Sequence, residues 1–344
     1  MPFQARIFRL PKDVEHPDEY QDAYAVDPEG GIAAVADGVA SAIFSGQWAE
    51  MLVEAVLADT PDPDDAETFA GWLEQRRRAW SESIDVSGLA WFQKAKLPLG
   101  AFSTLVWVRV APMEEEREGA FGAYRLQAYA IGDSCLFQVR GGELVRMFPT
   151  LEAEQFAADP LVLGSVDLNR DRLQQFVTLD ETCYDDDLLV LCTDAIAEWA
   201  VRMAEAGTPP DWQRYWRMTH VQWEEEVAAL RHERQMRYDD HTMLLLRVAR
   251  QGAMLGEPEE PLASVWVAAP GGTDPDGDRP PTSGSPPAHH ADDEDWTGKF
   301  KEASRNFGEG VGQASSQLLR GLREWKDKAV RKYRERFGPR EKEG

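Results

Sequence analysis

The sequence is poor in the residues that build disulfide frameworks, zinc clusters and membrane spans. Its three cysteines show no C-x-x-C spacing, and there are six histidines among 344 residues. A disulfide framework or a zinc cluster is therefore not expected, and a reducing compartment is favoured. No apolar run reaches membrane-spanning length, and no early stretch has the order of a signal peptide. The sequence thus predicts a cytoplasmic protein without a transmembrane segment.

Basic residues are also scarce. The chain has 37 Lys and Arg against 61 Asp and Glu, which gives a formal net charge of -24. This balance argues against nucleic acid as the main partner, because phosphate backbones are bound by basic patches. Residues 296–344 nevertheless carry 13 Lys and Arg against 7 Asp and Glu, so residues 1–295 carry a net charge of -30. An acidic body and a basic end are expected to be separate parts of the chain.

Composition predicts three segments. Residues 1–254 form a domain, since a chain with 43% apolar residues can bury a full core. Residues 255–295 form a disordered linker, because eight of the 21 prolines lie between Pro258 and Pro287 among Gly, Ser and Asp. Residues 296–344 form a basic amphipathic helical tail. Its apolar stripe consists of Leu318, Leu322, Trp325, Ala329 and Tyr333.

The apolar periodicity of the first segment predicts more strands than helices. Several strands are linked by hairpin signals such as Gly141-Gly142, which favours an α/β layered domain with largely antiparallel sheets. Ser45 is the expected N-cap of the first helix. Strands are predicted near 23–26, 32–36, 102–110, 124–131, 135–139, 144–148, 174–178, 187–192 and 242–248, and helices at 45–58, 64–85, 196–206 and 219–235.

Aspartates recur where apolar strands begin or end. One such residue is usually a solvated cap or a turn residue. Several that converge on one sheet edge would repel one another unless a cation neutralised them. Because the set offers oxygen ligands without His or Cys at ligand spacing, it predicts Mg²⁺ or Mn²⁺ rather than Zn²⁺. The set is Asp22, Asp37, Asp133, Asp194 and Asp239, with Asp240 beside the last.

Five motifs follow one another in order over residues 5–250. They read 36-ADGVAS-41, 100-GAFSTLVWV-108, 131-IGDSCLFQVRGGEL-144, 190-VLCTDA-195 and 239-DDHTMLLLRV-248. The ordered set resembles the metal-dependent protein serine/threonine phosphatases of the 2C type, as a divergent bacterial-type member. The resemblance implies an α/β layered sandwich, in which two packed and mainly antiparallel β-sheets are flanked by α-helices.

The resemblance also implies a binuclear metal site with catalytic Asp37, Asp194 and Asp239. Asp37 would bridge both ions, and the Gly38 carbonyl would bind one of them. Asp194 and Asp239 would bind the other ion. A hydroxide between the two ions would attack phosphorus in line, while the ions absorb charge on the phosphoryl oxygens.

Two further carboxylates have implied roles at this site. Asp22 would hold metal-bound water, and Asp133 would contribute to a third, weaker ion. The cofactors implied are therefore two Mg²⁺ or Mn²⁺ ions and a third in addition. The implied partner is a phosphoprotein substrate.

The sequence departs from the family pattern around the substrate phosphate. Pro17 stands where the family usually has an arginine that clamps the phosphate, and the nearby cations are Arg9, Lys12 and His16. Residues 39–41, Val-Ala-Ser, replace the usual His or Met and two glycines. No side-chain general acid is then evident, so a metal-bound water would protonate the leaving group.

Other departures lie close to the motifs. Ala195 replaces the usual glycine, and Asp240 replaces the usual asparagine. The alternation of its strand favours a structural role for His241, and Cys135 and Cys192 are expected in the core. Residues 149–167 lie where the family inserts a mobile flap, and a plain surface loop is the alternative.

Three functions compete on this evidence, of which the weakest is an anionic scaffold with no site, since it would require the ordered motifs to be a coincidence. The first is a metal-dependent phosphatase acting on phosphoserine and phosphothreonine in proteins, which the aspartates favour. The second is a non-catalytic module of the same fold that binds metal or a phosphoprotein, which the missing arginine favours. For the tail a protein partner is favoured, ahead of docking on the acidic body of the same chain and of peripheral contact with an anionic membrane.

Overall fold

The fold is built from β-strands, and all strand pairs among the described residues are antiparallel. A computed structural model describes residues 1–113, 122–166 and 176–248. In these ranges the strands are β1 (Phe3–Leu10), β2 (Asp22–Asp27), β3 (Ile32–Asp37), β4 (Phe102–Ser103), β5 (Leu105–Pro112), β6 (Ala123–Ile131), β7 (Cys135–Arg140), β8 (Glu143–Phe148), β9 (Leu163–Gly164), β10 (Val177–Tyr184), β11 (Leu188–Cys192) and β12 (His241–Val248). One five-stranded sheet has the order β1-β12-β11-β7-β8, and the other has the order β10-β6-β5-β3-β2. Strands β4 and β9 form a separate pair.

Helices cover the outer faces of both sheets. The helices α1 and α2 pack on the second sheet, and α4, α5 and α6 pack on the first. The described helices are α1 (Ser45–Ala58), α2 (Ala66–Ser83), α3 (Trp91–Lys96), α4 (Asp194–Glu205), α5 (Trp212–Arg217) and α6 (His220–His232), with 3₁₀ turns at Pro17–Glu19, Leu97–Leu99 and Ala153–Ala157.

The burial of successive residues explains the layered arrangement. Along β5, Val106 and Val108 face the core between the sheets, while Leu105 and Trp107 face α1 and α2. Successive side chains of a strand point to opposite faces, so a strand covered on both faces is apolar at every position. The predicted sandwich of two antiparallel sheets flanked by helices is confirmed.

The local predictions were correct for most elements and wrong at some boundaries. Helix α1 has the predicted bounds, but its N-cap is Phe44 in the left-handed region (φ 54°), and Ser45 is its first residue. The strand predicted at 102–110 is interrupted at Thr104, because its amide donates to the Asp37 carbonyl oxygen (2.9 Å).

Other elements were misplaced or missed. The strand predicted at 174–178 starts at Val177 and continues to Tyr184, where most residues are exposed and Asp180 and Glu181 are adjacent. Strands β1 and β9 and helices α3 and α5 were not predicted. In β1 the residues Arg6 and Arg9 interrupt the apolar pattern, and α5 is only six residues long.

The described part of the predicted flap, residues 149–166, packs on both sides of the sandwich: Phe156 lies in the core that contains α4, and Leu163 lies in the core that contains α1 and α2. The indole of Trp48 donates to the Leu163 carbonyl (2.9 Å), and the Arg77 guanidinium donates to the Gly164 carbonyl (3.0 Å). The Ala101 amide donates to the Ser165 hydroxyl (2.9 Å). These bonds fix the end of the segment to the body.

The predicted linker at 255–295 and the predicted tail at 296–344 lie outside the described residues. None of the helices in the described ranges has the length and apolar character needed to cross a bilayer.

Candidate metal centre

Strand pairing brings the predicted aspartates to one edge of the two sheets. In the second sheet Asp22 and Asp37 are register partners in the β2–β3 pair. In the first sheet Cys135 of β7 is opposite Cys192 of β11. Asp133 and Asp194 each lie two residues beyond those partners, so they leave the sheet at the same level.

Three carboxylates converge at this edge. Asp37, Asp133 and Asp194 each place one oxygen within 4.8 Å of the others. Asp133 is buried, and the other two are half-buried. The Oδ1 atom of Asp133 is buried without a hydrogen-bond partner among the described residues, as expected for an oxygen that serves as a cation ligand.

The charges of the cluster act on one another. Burial raises the pKa of Asp37 well above its usual range, and the charges of Asp194, Asp22, Asp133 and Asp239 raise it further. Burial, followed by the charge of Asp194, raises the pKa of Asp133 to about 7. Burial also raises the pKa of Asp194, although Arg237 opposes the effect. Carboxylates in this situation are stabilised by a bound cation.

The carboxylate of Asp22, next to the cluster, is held by two hydroxyl groups. The hydroxyls of Thr193 and Thr242 each donate to its Oδ2 atom at 2.9 Å. Burial raises the pKa of Asp22 well above its usual range, and the charge of Asp240 adds to the effect. The carboxylate therefore has a defined orientation on the side of the cluster near β2.

The backbone around Asp37 and Gly38 is fixed by the second of the sequence motifs. The Ser103 hydroxyl donates to the Asp37 carbonyl (2.9 Å), and the Asp37 amide donates to the Thr104 hydroxyl (3.1 Å). The Thr104 hydroxyl also lies 2.8 Å from that of Ser134, beside Asp133. A Cβ atom at Gly38 would lie 2.7 Å from the Gln21 carbonyl oxygen. Only glycine fits this approach of β3 to the neighbouring chain.

Asp239 lies farther from the centre of the carboxylate cluster than predicted, and Asp133 lies closer to it. Asp239 is half-buried and stays outside the set of three, while its charge still raises the pKa of Asp37 and Asp194. The reason is register: Cys192 is opposite Met243 in the β11–β12 pair, so Asp239 is four residues from that level. Asp194 is only two residues from it.

Arg237 is the functional candidate that the sequence analysis missed. Its guanidinium donates to Asp194 Oδ2, and its Nε atom lies 2.7 Å from Glu198 Oε2. It is a half-buried cation at the edge of an anionic cluster. The sequence feature that could have indicated Arg237 is its position two residues before Asp239, a predicted metal ligand.

The residues beside Asp239 have structural roles. Asp240 is buried and accepts from the backbone amides of Lys12 (2.7 Å) and Gln21 (2.9 Å). His241 is fully buried, and burial, together with the charge of Arg231, lowers its pKa to about 3. A neutral, enclosed imidazole fits the predicted structural role.

Two of the three cations near Pro17, Arg9 and His16, have side-chain contacts away from the cluster. The Arg9 guanidinium lies 4.8 Å from the centre of the Tyr20 ring. His16 Nδ1 lies 2.9 Å from Asp13 Oδ2. Lys12 contributes its backbone amide to Asp240. Among the described residues, Arg237 is therefore the cation that contacts the carboxylate cluster.

The donor set fits a hard divalent cation. The converging groups are carboxylates, and the peptide carbonyl of Gly38 lies next to Asp37. Cys135 and Cys192 are fully buried, and burial raises the pKa of both thiols well above the usual range. These cysteines stay protonated in the core, so oxygen atoms are the ligands that the centre offers.

Comparison with known proteins gives a family match. The model of the family described as Protein phosphatase 2C matches residues 17–236, which is more than half of the chain. No curated protein matches the sequence.

Several solved structures are similar at low identity. The serine/threonine phosphatase PstP/Ppp of Mycobacterium tuberculosis is 13% identical, with 73% of this chain and 100% of that chain covered and a TM-score of 0.46. PppA, a key regulatory component of T6SS in Pseudomonas aeruginosa, is 18% identical, with 72% and 98% covered and a TM-score of 0.41. The catalytic domain of PstP in complex with two manganese ions is 16% identical, with 72% and 98% covered and a TM-score of 0.44.

Proposed function

Because the chain belongs to the protein phosphatase 2C family, we propose that it is a metal-dependent phosphatase acting on phosphoserine and phosphothreonine in proteins. The observation that carries this proposal is the convergence of Asp37, Asp133 and Asp194 within 4.8 Å. Three carboxylates from distant parts of the chain are brought together at a cost that a bound cation removes. A purely structural cluster would have no need of that arrangement.

The residues proposed to hold two Mg²⁺ or Mn²⁺ ions are Asp37, the Gly38 carbonyl, Asp194 and Asp239. Such ions, when bound, supply Lewis-acid stabilisation of phosphoryl oxygens and lower the pKa of water. Asp133, which belongs to the three converging carboxylates, is proposed to bind a third ion or to be a further ligand of the first two ions.

The remaining residues orient the site. The hydroxyls of Thr193 and Thr242 hold the Asp22 carboxylate, so it can accept a hydrogen bond from water at a fixed position. Ser103 and Thr104 hold the Asp37–Gly38 backbone. His241 cannot act as a general acid near neutral pH, because it is neutral and enclosed. The proton for the leaving group is therefore proposed to come from water.

A second candidate is a non-catalytic module that binds metal or a phosphoprotein. The observation that favours it is Pro17 in place of an arginine, while Arg9 and His16 are engaged in other contacts. Such a module would bind Mn²⁺ at the same carboxylates without turnover.

One experiment separates the two candidates. The full chain is incubated with a phosphoserine peptide and with a small aryl phosphate, in the presence of Mn²⁺, Mg²⁺ or chelator, and released phosphate is measured. Hydrolysis of both substrates that stops with chelator supports the phosphatase. Tight Mn²⁺ binding measured by calorimetry without any hydrolysis supports the module. If Mn²⁺ neither binds nor is needed, both proposals are wrong.

A further inference from the structure

A large groove leads away from the candidate metal centre along β2. Its volume is about 1690 Å³, and its lining includes all of β2 from Asp22 to Asp27. Ile7 and Arg9 of β1 form one wall, and Glu50, Glu54 and Leu57 of α1 form the other. One end of the groove is lined by Asp22, the register partner of Asp37, so this end lies next to the carboxylate cluster, although Asp37, Asp133 and Asp194 are not part of the lining.

The floor of the groove is the edge of a sheet. Strand β2 is the last strand of the second sheet, and among the described residues it pairs only with β3. The outer edge of such a strand offers unpaired amide and carbonyl groups to an added strand. The six residues of β2 span about 20 Å at roughly 3.3 Å per residue. An extended peptide of about six residues would match that length.

The groove is strongly acidic. Its lining contains seven carboxylates, and its Lys and Arg residues are Arg9 and Lys96. Both cations are engaged within the chain: Arg9 lies over the Tyr20 ring, and the Lys96 ammonium donates to the Ser41 carbonyl (3.2 Å). The acidic wall is therefore available to a basic ligand. The seven carboxylates are those of Asp18, Glu19, Asp22, Asp27, Glu50, Glu54 and Glu224.

Glu50 and Glu54 are the two exposed acids of the α1 wall. Neither has an ion-pair partner among the described residues, and they lie four residues apart on one helix face, where like charges repel. Burial, followed by the charge of Glu50, raises the pKa of Glu54. A cationic side chain in the groove would relieve this repulsion.

The spacing of Glu50 and Glu54 determines the spacing of basic side chains that a bound peptide would need. Four residues of helix rise about 6 Å, which equals about two residues of an extended chain. Residues two apart in a strand point to the same side. Two basic side chains separated by one residue would thus meet Glu50 and Glu54 together.

The distances of Glu50 and Glu54 from the start of α1 determine where the basic residues of the peptide should lie. A Cβ atom at Gly46 would lie 2.9 Å from the Tyr20 carbonyl oxygen, so the start of α1 is level with the start of β2. Glu50 and Glu54 lie about 6 Å and 12 Å farther along the helix axis. These rises correspond to about two and four residues of extended peptide.

We propose that this groove binds the substrate beside its phosphorylated residue, as a strand added to β2, and selects phosphoproteins with basic residues at the second and fourth positions from that residue. The inference rests on the proposed function for the identity of the ligand. The groove itself, its charge and its edge strand are independent of catalysis.

The test measures binding separately from turnover. Fluorescein-labelled phosphoserine peptides carry arginines two and four residues after the phosphoserine, or before it, or glutamines at the same places. Dissociation constants for the full chain are obtained by fluorescence anisotropy in Mn²⁺ and again in chelator, with the non-hydrolysable phosphonate analogue in place of phosphoserine, because without cations the carboxylate cluster repels the phosphoryl group. The variant E50Q/E54Q is compared with E67Q/E82Q, a control with the same change in net charge at exposed positions of α2 outside the groove.

One arginine peptide should bind wild type about tenfold more tightly than its glutamine analogue, and E50Q/E54Q should remove most of this preference. The control E67Q/E82Q should retain it. Two further peptides carry N-methyl groups on one or the other alternating set of backbone amides. Only one of the two should bind more weakly, since a strand pairs with its neighbour through every second residue. Thermal unfolding verifies that both variants are folded.

Two results would overturn the proposal. One is equal binding of arginine and glutamine peptides, and the other is an equal loss in E50Q/E54Q and E67Q/E82Q, which would indicate attraction by net charge alone. Hydrolysis of an aryl phosphate by wild type with Mn²⁺ is measured in parallel. Hydrolysis without arginine preference refutes the groove proposal alone, whereas preference without hydrolysis refutes the proposed catalysis alone.

Discussion

At the scale of single residues, the carboxylates of the centre repel one another, and within the described ranges the cation that contacts them is Arg237. Burial and the charges of Asp194, Asp22 and Asp133 raise the pKa of Asp37. Arg237 offsets part of this repulsion through Asp194 and Glu198. Substitutions on the two sides of this balance should therefore change the metal-free stability in opposite directions.

Asp37→Asn should abolish most turnover and make the metal-free protein more stable. The amide removes one like charge from the cluster, which should raise the free energy of unfolding in chelator by about 1 kcal/mol. Urea denaturation measures this change, and Asp239→Asn, at the outer position, should give a smaller one. Full phosphatase activity in Asp37→Asn would contradict the proposed ligand role.

Arg237→Ala should act in the other direction. Loss of a half-buried cation removes the ion pair of Asp194 and leaves Glu198 with Arg202 (3.6 Å), so the free energy of unfolding in chelator should fall by about 1–3 kcal/mol. The rise in melting temperature on adding Mn²⁺ should exceed that of wild type, because more repulsion remains for the ions to relieve. Arg237→Lys, which keeps the charge, should lie between the two. An unchanged metal-free stability in Arg237→Ala would show that the contact contributes nothing.

At the scale of elements, the centre depends on how closely β3 approaches the start of α1. The approach is set at Gly38, where a Cβ atom would lie 2.7 Å from the Gln21 carbonyl oxygen and 2.7 Å from the Ser45 carbonyl carbon. Backbone atoms cannot move aside as a flexible side chain can. The glycine thus serves close packing of the strand end as well as access of its carbonyl to a cation.

Gly38→Ala should destabilise the protein by about 1–3 kcal/mol and weaken Mn²⁺ binding, because the added methyl group forces β3 away from α1. Gly71→Ala is the matched control. Gly71 is an exposed residue inside α2 with no atom within 4 Å of an added Cβ, so alanine should stabilise by about 0.5–1 kcal/mol. Urea denaturation and calorimetry with Mn²⁺ measure both effects. Similar results for the two substitutions would refute the packing argument.

At the scale of the whole molecule, charge and composition divide the chain. The proposed ligands and the groove all lie before Val248, the end of β12. The basic residues of 296–344 are separated from them by the proline-rich segment. We therefore expect catalysis on a small substrate and recruitment of a partner to depend on different parts of the chain.

Deletion of residues 296–344 should leave Mn²⁺-dependent hydrolysis of an aryl phosphate unchanged. The reason is that every proposed ligand lies between Asp22 and Asp239, within the described part of the chain. Location in the cell or capture of a protein partner should change instead. Loss of aryl phosphate hydrolysis in a folded truncation would show that the tail completes the catalytic domain.

The sequence by itself determined the class of the fold, the bounds of α1 and the candidate aspartates, because periodicity and turn residues are local signals. Only the tertiary structure decided that Asp133 joins Asp37 and Asp194 while Asp239 stays outside, since this follows from the non-local pairing of β11 with β7 and with β12. The contact of Arg237 with Asp194 and the groove along β2 were likewise beyond prediction. Each depends on which distant segments become neighbours, and that is set by strand order and register rather than by any local pattern.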